Sequence, residues 1–588
     1  MTKIAILIVL VLHGSIHILG FVKAFELTEV DELKGEISKT AGIFWLLAVF
    51  GFIVAAVLLY LGDDTWRMVG GAAVIISQLL IMLSWSDAKY GTIANVVVAA
   101  AIVLGVGNRI SEDYSVKNLN QRQFSEYLDR QIPMLMEDYS VPGVSILILK
   151  DGKKQWSRAY GYADRQHQQS LTVESVMMAH SISKSVTAWG VMKLVEEGQV
   201  RLDDPLSKYL DSWTLPESEF SDQKVTVRRL LSNSAGVSLG TLGVHYAPSE
   251  SIPPLTESLS GDEVRLVRPP GTVFMYSNSG YALLELLIQE VTGMDFAEYM
   301  ENEILMPLGM NKSSFELDNE IVSEVPLGYD LNGNTVSVYR YPYRASGGLF
   351  STLGDIGTFV ASGFSEQAAE TVLLQESIDE LYKPQISVSG MFGYVADSYG
   401  MGHFIEMLPN GDKAVWHGGQ GLGWMTHFHA IPERGDGIVI LTNSQRSWPL
   451  MAQILGDWSE WGGYGPVKFS RITYANTGLQ FLIGIILLIT FWRMGEVISG
   501  VLSGRRKLTL GSEADSNIRV IEFVISLGII AFLIWASVQD YLFISSVFPI
   551  GAVWLGWVLL VLSGILLLSA ALPVIQMAVP SNPDHTEL

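Results

Sequence analysis

Long apolar runs at both ends of the chain set the strongest limit on what it can fold into. Ile4 to Val22, Ala41 to Leu61, Met68 to Trp85 and Thr92 to Gly107 lie near the start, and Tyr474 to Trp492, Val520 to Val538 and Phe548 to Leu572 near the end. Each approaches the ~20 residues that cross a hydrocarbon core, where a helix satisfies its own backbone groups. Seven spans are therefore expected. The first is read as retained, because its apolar stretch is long for a signal peptide and no small-x-small cleavage site precedes Glu26.

Composition agrees with a chain partly in lipid. The mean hydropathy is +0.31 and 49% of the 588 residues are apolar, high for a water-soluble enzyme. A formal charge of −22 and the lack of a Lys/Arg-rich stripe argue against a nucleic-acid partner. With no cysteine in the chain, disulfides, thiolate metal sites and a cysteine nucleophile are excluded.

Basic residues in short loops mark the cytoplasmic side of a membrane. Arg493, Arg505, Arg506, Lys507 and Arg519 lie between the fifth and sixth runs, whereas Asp63, Asp64, Glu112 and Asp113 flank the opposite side. The expected arrangement is a multi-pass protein of the inner (cytoplasmic) membrane. Its large middle block lies outside the cytoplasm, and the tail after Met577 inside. Three parts follow: four spans in 1–110, a catalytic-size block in 111–465 and three spans in 466–588. Trp458, Trp461 and Tyr464 stand just before the fifth run, where aromatic residues serve either as an interfacial anchor or as ordinary core.

The middle block mixes helical and strand periods. In "VPGVSILILKDGKKQWSRAYGYAD", β-branched runs flank Asp151-Gly152, a strong hairpin signal. Helix-period runs follow at Val186 to Glu197, Tyr281 to Val291 and Ile356 to Phe364, and strand-like runs return at Ala414 to Trp416 and Gly437 to Leu441. The fold class is an α/β (α+β) mixture with an antiparallel sheet built from both ends of the block. Pro269-Pro270-Gly271 and Ala345 to Gly348 are expected to be loops.

Within "HSISKSVTAWGVMKLVEEGQVRLDDPL", Ser181 and Lys184 stand three apart on one helix face, so a hydroxyl and an amine share a cavity. A serine hydroxyl needs a base within hydrogen-bond reach to act as a nucleophile. Alone, Ser181 could equally be a helix cap. Two further motifs decide between these: "PPGTVFMYSNSGYALLELLIQEVTG", with Tyr276-Ser277-Asn278, and "WHGGQGLG", with His417-Gly418-Gly419. In order and spacing the three resemble the boxes of the serine β-lactamase-related hydrolases, closest to the class C, DD-peptidase and esterase branch. "LLSNSAGV", "ASGGLFSTLGDIGTF", "YGMGH" and "IVILTNS" match that family's habits as well. The resemblance covers the middle block and none of the spans. One such domain followed by three C-terminal spans also resembles membrane-bound D-amino-peptidases and penicillin-binding-protein-like hydrolases.

The resemblance implies a β-lactamase/transpeptidase-like domain that works through an acyl-enzyme without metal or other cofactor. Ser181 would be the nucleophile, and Lys184 and Tyr276 would share the role of base. Asn278 would bind Lys184 and a substrate amide carbonyl, and the Ser181 N–H and Gln420 N–H would face the oxyanion beside Gly418 and Gly419. His417 stands where many relatives carry a lysine for a substrate carboxylate, which points to a peptidase or esterase rather than a β-lactamase. The implied partner is a small peptide, amide or ester, cell-wall derived or lipid-linked. The alternative is a penicillin-binding sensor that is acylated without turnover.

Four other features invite a role. Asn233 stands where relatives often show histidine and is assigned to packing near the site. His13 and His17, four apart in the first span, suit either a metal pair or interhelical hydrogen bonds. Glu522, an ionisable group in a span, is an open candidate that lies near enough to the span end to reach the head groups. "DLNGN" at Asp330 to Asn334 begins like a calcium loop, but its twelfth position is Tyr341, so a hairpin turn is expected.

Overall fold

A computed structural model describes residues 2–31, 33–61, 63, 65–103, 116–242, 244–261, 264–364, 372–507, 516–539 and 543–572. The chain divides into two units. One comprises Met1–Tyr114, Ala475–Ser545 and Ile550–Leu588, the other Ser115–Tyr474 with Ser546–Pro549. The end of the fourth run at Gly107, the flanking Asp64, Glu112 and Asp113, the expected domain boundary near Ser111 and the tail after Met577 lie outside the described residues.

Six helices among the described residues, lying wholly or mostly in the first unit, are long and apolar enough to cross a membrane: Ile4–Ala24, Lys39–Leu61, Trp66–Leu83, Lys468–Leu502, Asn517–Ser537 and Pro549–Ala571. Gly91–Ile102 is a shorter apolar helix. Their side-chain distribution inverts that of a water-soluble bundle. Ile8, Phe50, Ile75, Phe481 and Ile521 are exposed, while His13, His17, Ser77, Gln78 and Asn95 are buried. These polar groups satisfy one another: a His13 ring nitrogen lies 2.9 Å from Asn95 Oδ1, His17 Nε2 lies 2.8 Å from Ser77 Oγ, and Asn95 donates to Gln78 at 3.0 Å. The two histidines thus join three helices by hydrogen bonds. Glu522 does not reach outward. It is buried and paired with Arg493 of the preceding helix, because an unpaired carboxylate at that depth is costly. Arg506 and Arg519 donate to the carbonyls of Leu572 and Ala570, at 3.0 and 2.9 Å, and so cap the last helix.

In the second unit, nine strands form an antiparallel sheet ordered β3-β2-β1-β13-β12-β11-β10-β9-β8. They are β1 Gly143–Lys150, β2 Lys153–Asp164, β3 Gln169–Ser170, β8 Ile386–Ser387, β9 Ser398–Tyr399, β10 Phe404–Met407, β11 Lys413–Gln420, β12 Met425–Ile431 and β13 Asp436–Thr442. Two short pairs, β4 Met177–Met178 with β7 Phe350–Ser351 and β5 Gly328–Tyr329 with β6 Thr335–Val336, lie apart from it. Asp151 (φ 49°) and Gly152 (φ 72°) turn β1 into β2 in the left-handed conformation that a two-residue hairpin demands. The sheet is built from both ends as expected, since β1 lies against β13 with Val144 opposite Thr442. Asp330 to Asn334 forms the β5–β6 turn, closed by the Asp330 N–H on the Asn334 carbonyl at 3.0 Å.

One expectation changes here, and one left open is decided. Ala345 to Gly347 belongs to a one-turn helix, Arg344–Gly347, rather than to a loop. Trp458 and Tyr464 are core residues and not a membrane anchor. Both are buried, they pack 5.2 Å apart, and the Tyr464 hydroxyl bonds Asp436. Trp461 stacks on Phe124 at 4.4 Å. The unit continues past them to Phe469, whose ring packs on His427 at 4.6 Å.

Candidate active site

The helix Ile182–Glu196 is buried around almost its whole first three turns, so Lys184 enters the core with no exposed surface. The turn before it is clamped on two sides. Ala179 N–H donates to Leu349 O at 2.8 Å, and Thr426 Oγ1 of β12 donates to Ala179 O at 2.8 Å. His180, at φ 48°, turns the chain so that Ser181 stands at the helix entrance and partly open to solvent. Ser181 makes no side-chain cap bond. Its hydroxyl is occupied instead with Lys184 Nζ at 3.3 Å and with Tyr276, to which it is hydrogen-bonded.

Lys184 Nζ donates to Asn278 Oδ1 at 2.8 Å and to the Ser346 carbonyl at 2.7 Å. Both acceptors are neutral. Burial, with no carboxylate beside it, holds the amine well below its ordinary value of 10.5. Nζ also donates to Ser181 Oγ at 3.3 Å, and an amine held below its ordinary value gives up a proton more readily and can then take the one on the serine. Burial pushes Tyr276 the other way, upward, only partly offset by its bond to Ser181. Lys184 Nζ lies over the Tyr276 ring at 4.7 Å, so the pair is in contact, but the tyrosine is held as a phenol.

The second motif is held in place by Asn233. Its Oδ1 accepts the Ser277 N–H at 3.0 Å and its carbonyl accepts the Met275 N–H at 2.7 Å. Asn233 itself sits at φ 51°, a conformation asparagine tolerates better than most residues. Its place is thus structural support for Tyr276, more specific than general packing. Ser277 caps the helix Asn278–Thr292 by accepting the Gly280 N–H at 2.8 Å, which brings Asn278 to Lys184. Asn233→Ala is expected to cost about 1–3 kcal/mol, from one lost buried bond and a strained backbone. It should also slow Ser181 acylation, as read by denaturation and by labelling rate.

The third motif lies on β11. A Cβ on Gly419 would fall 2.1 Å from the Ala179 carbonyl, and one on Gly421 2.0 Å from the His180 ring. Glycine is needed because the strand runs directly against the turn that carries Ser181. Gly419→Ala is expected to separate the two and lower the acylation rate, with about 1–3 kcal/mol lost in stability by overpacking. Gln420 Oε1 accepts the Trp448 indole N–H at 3.1 Å, which fixes the end of the strand.

His417 is held as part of the protein core. It is buried, and both ring nitrogens face protein partners: Tyr399 OH at 3.1 Å and its neighbour's Gly418 carbonyl at 2.9 Å. Burial first, and then nearby Lys184, push it well below the usual imidazole range. A neutral ring with both nitrogens engaged supplies no point charge for a substrate carboxylate.

One structural layer escaped the sequence. Buried Glu285 accepts from Arg344 Nε and from the Ala345 N–H, both at 2.9 Å, and thereby seats the short Arg344–Gly347 helix that offers the Ser346 carbonyl to Lys184. Only the match of "ASGGLFSTLGDIGTF" hinted at this segment, since a backbone carbonyl has no residue signature. Among the described residues no group of three or more His, Asp or Glu side chains is placed to hold a metal ion. A cleft of about 320 Å³ that includes Asp164, Glu174 and Lys312 in its walls does not include any of the site residues.

An antiparallel sheet with helices against it and a Ser–Lys–Tyr cluster between them define a β-lactamase/transpeptidase-like fold. The Beta-lactamase family model matches residues 128–453, more than half of the chain, and the chain belongs to that family. It is 26% identical over 326 residues to Protein flp of Staphylococcus aureus (strain N315), covering 54% of this chain and 63% of that protein. It is 27% identical over 317 residues to a D-aminopeptidase of Brucella anthropi, covering 52% and 57%. The chain thus spans less than two thirds of either relative. Among solved structures it is similar to the octameric penicillin-binding protein homologue from Pyrococcus abyssi, with 31% identity, a TM-score of 0.52 and coverage of 60% of this chain and 81% of that one.

Proposed function

We propose that the protein is a membrane-anchored serine hydrolase that cleaves a peptide, amide or ester outside the cytoplasm through an acyl-enzyme on Ser181. The observation that carries this reading is the buried Lys184 amine, bonded to Asn278 Oδ1 and the Ser346 carbonyl, 3.3 Å from Ser181 Oγ and with no carboxylate partner. Lys184 takes the Ser181 proton as Oγ attacks the scissile carbonyl. The Ser181 and Gln420 N–H groups receive the oxyanion, and the proton passes to the leaving group. Water then attacks the ester, the Lys184–Tyr276 pair accepts its proton, and Ser181 is restored. A neutral His417 favours a substrate without a carboxylate at that subsite, which supports peptidase or esterase chemistry over that of a β-lactamase.

Membrane anchoring is supported by the inverted side-chain distribution of the first unit. The outward placement of the catalytic unit is supported by Arg493, Arg505, Arg506 and Arg519 collecting between the fifth and sixth runs. A second reading, a sensor acylated without turnover, is favoured by one observation: Tyr276 is held protonated, which is unfavourable for activating the deacylating water. Mass spectrometry of the purified protein with a fluorophosphonate and with a labelled penicillin tests both, with Ser181→Ala as control. An adduct on Ser181 together with turnover of small esters or D-peptides supports the hydrolase, and a persistent penicilloyl adduct supports the sensor. A folded protein that reacts with neither probe refutes both readings.

A further inference from the structure

The segment between β8 and β9 exposes three large apolar or aromatic side chains in a row. Met391, Phe392 and Tyr394 are 57%, 43% and 44% exposed, more than such residues ordinarily are on a water-washed surface. The segment is fastened at two points. At one, Phe392 stacks on Tyr276 of the site, ring centroids 5.7 Å apart and 13° from parallel, and packs edge-on against Phe274 at 5.8 Å. At the other, the Tyr394 hydroxyl donates to the Arg471 carbonyl at 3.2 Å, and Arg471 Nη1 donates back to the Tyr394 carbonyl at 3.3 Å. The guanidinium lies over the Tyr394 ring at 6.0 Å.

Arg471 is the first residue of the helix Arg471–Leu502, and the chain itself fixes its depth. Tyr474 and Trp492 bracket the apolar part of this helix. At ~1.5 Å per residue they stand about 27 Å apart, close to the ~30 Å of a hydrocarbon core bounded by aromatic belts. On the membrane reading proposed above, Arg471, one turn before Tyr474, falls at the level of the phosphates, and Tyr394 is hydrogen-bonded to it.

We propose that the Gly390–Tyr394 loop is a bilayer-docking surface, with Met391 and Phe392 inserted at the boundary between head groups and acyl chains and Tyr394 and Arg471 at the phosphate level. The occupant is the phospholipid bilayer that receives the following helix. The proposal rests on the membrane part of the function proposed above. Amphipathic aromatic and methionine side chains beside a cation suit that boundary. Because Phe392 also stacks on Tyr276, seating the loop in lipid holds the rim of the catalytic site at the membrane surface.

The chain has no cysteine, so single cysteines report unambiguously. Met391→Cys, Ile485→Cys and Gln166→Cys in the full chain, each labelled with an environment-sensitive nitrobenzoxadiazole dye, are reconstituted in phosphatidylcholine–phosphatidylglycerol nanodiscs. Ile485 lies in the span and is exposed. Gln166 lies between β2 and β3, about eight strand spacings of ~4.8 Å across the sheet from the loop. Dye at 391 is expected to shift to the blue and to lose most of its emission to brominated lipid but little to aqueous iodide, as at 485. Dye at 166 should show the reverse. Iodide quenching at 391 with lipid quenching at 485 overturns the docking surface alone, and so does lipid quenching at all three positions, which would mean nonspecific insertion. Iodide quenching at 485 overturns the membrane reading, and the docking surface with it. Tyr394→Cys repeats the measurement if Met391→Cys fails to fold.

Discussion

Replacing Lys184 by methionine slows fluorophosphonate labelling of Ser181 by roughly 10²–10⁴-fold, the usual contribution of a positioned general base. The variant should fold, because a thioether of similar length fills the same space and Lys184 has no carboxylate partner to strand. Its removal leaves Asn278 Oδ1 and the Ser346 carbonyl without their donor, a smaller cost than stranding a charge. The wild-type labelling rate should rise with pH through the depressed Lys184 value and then level off, since only the neutral amine accepts the serine proton. Stability carries the same signature. The folded lysine binds fewer protons than the unfolded one between its depressed value and its ordinary 10.5. Stability therefore increases with pH across that window, and is lost as pH falls through the folded value. Denaturation of wild type and Lys184→Met at several pH values should show this slope in the first and its loss in the second. An unchanged labelling rate in Lys184→Met would pass the role of base to Tyr276.

Arg344→Ala is expected to destabilise the catalytic unit by about 3–5 kcal/mol, the range for breaking a buried ion pair by removing one partner. The Glu285 side chain is 1% exposed and the Arg344 side chain 19%, so little solvent screens the pair. Without the guanidinium, the Glu285 carboxylate keeps only the Ala345 N–H as partner. Burial already raises the Glu285 pKa despite Arg344, and the variant should raise it further. A carboxyl with a raised folded value binds more protons when folded, so the variant regains stability as pH falls towards the ordinary glutamate range and loses it as pH rises. Glu285→Met combined with Arg344→Met should recover much of the loss, since a well-packed apolar pair often replaces a buried ion pair at little cost. Chemical denaturation of the full chain in detergent measures all three. Acylation should fall in Arg344→Ala as well, because the Ser346 carbonyl is carried on the turn that Glu285 and Arg344 hold.

The contrast between these two variants shows where sequence reading succeeds. Ser181, Lys184, Tyr276 and Asn278 could be picked out because reactive side chains at fixed spacing carry their own chemistry, and the structure brings these four into one cluster. The hairpin at Asp151-Gly152 and the returning strands near Trp416 and Leu441 were legible because turn residues and apolar runs report local geometry. The Ser346 carbonyl and the Glu285–Arg344 pair were not, because a backbone acceptor and a tertiary ion pair leave no periodic mark. Trp458 and Tyr464 stayed open between anchor and core for a related reason. Aromatic composition beside a span is the same for an anchor and for a core, and only the neighbours, Asp436 and His429, separate them. For His417 the residue type alone pointed away from a fixed charge, but its neutrality comes from burial and from Tyr399, neither visible along the chain.

The pairing of Val144 with Thr442 also sets a timetable for synthesis. The first central strand leaves the ribosome long before its neighbour exists, and the third motif, on β11, rests on a sheet completed only by β13. Until that strand arrives, β1 presents a bare apolar edge that needs shielding from other chains, and Ser181 has no cleft around it. A nascent chain halted before Asp436 is therefore expected to show no labelling at Ser181, so that any reactivity of this site waits for the last strand.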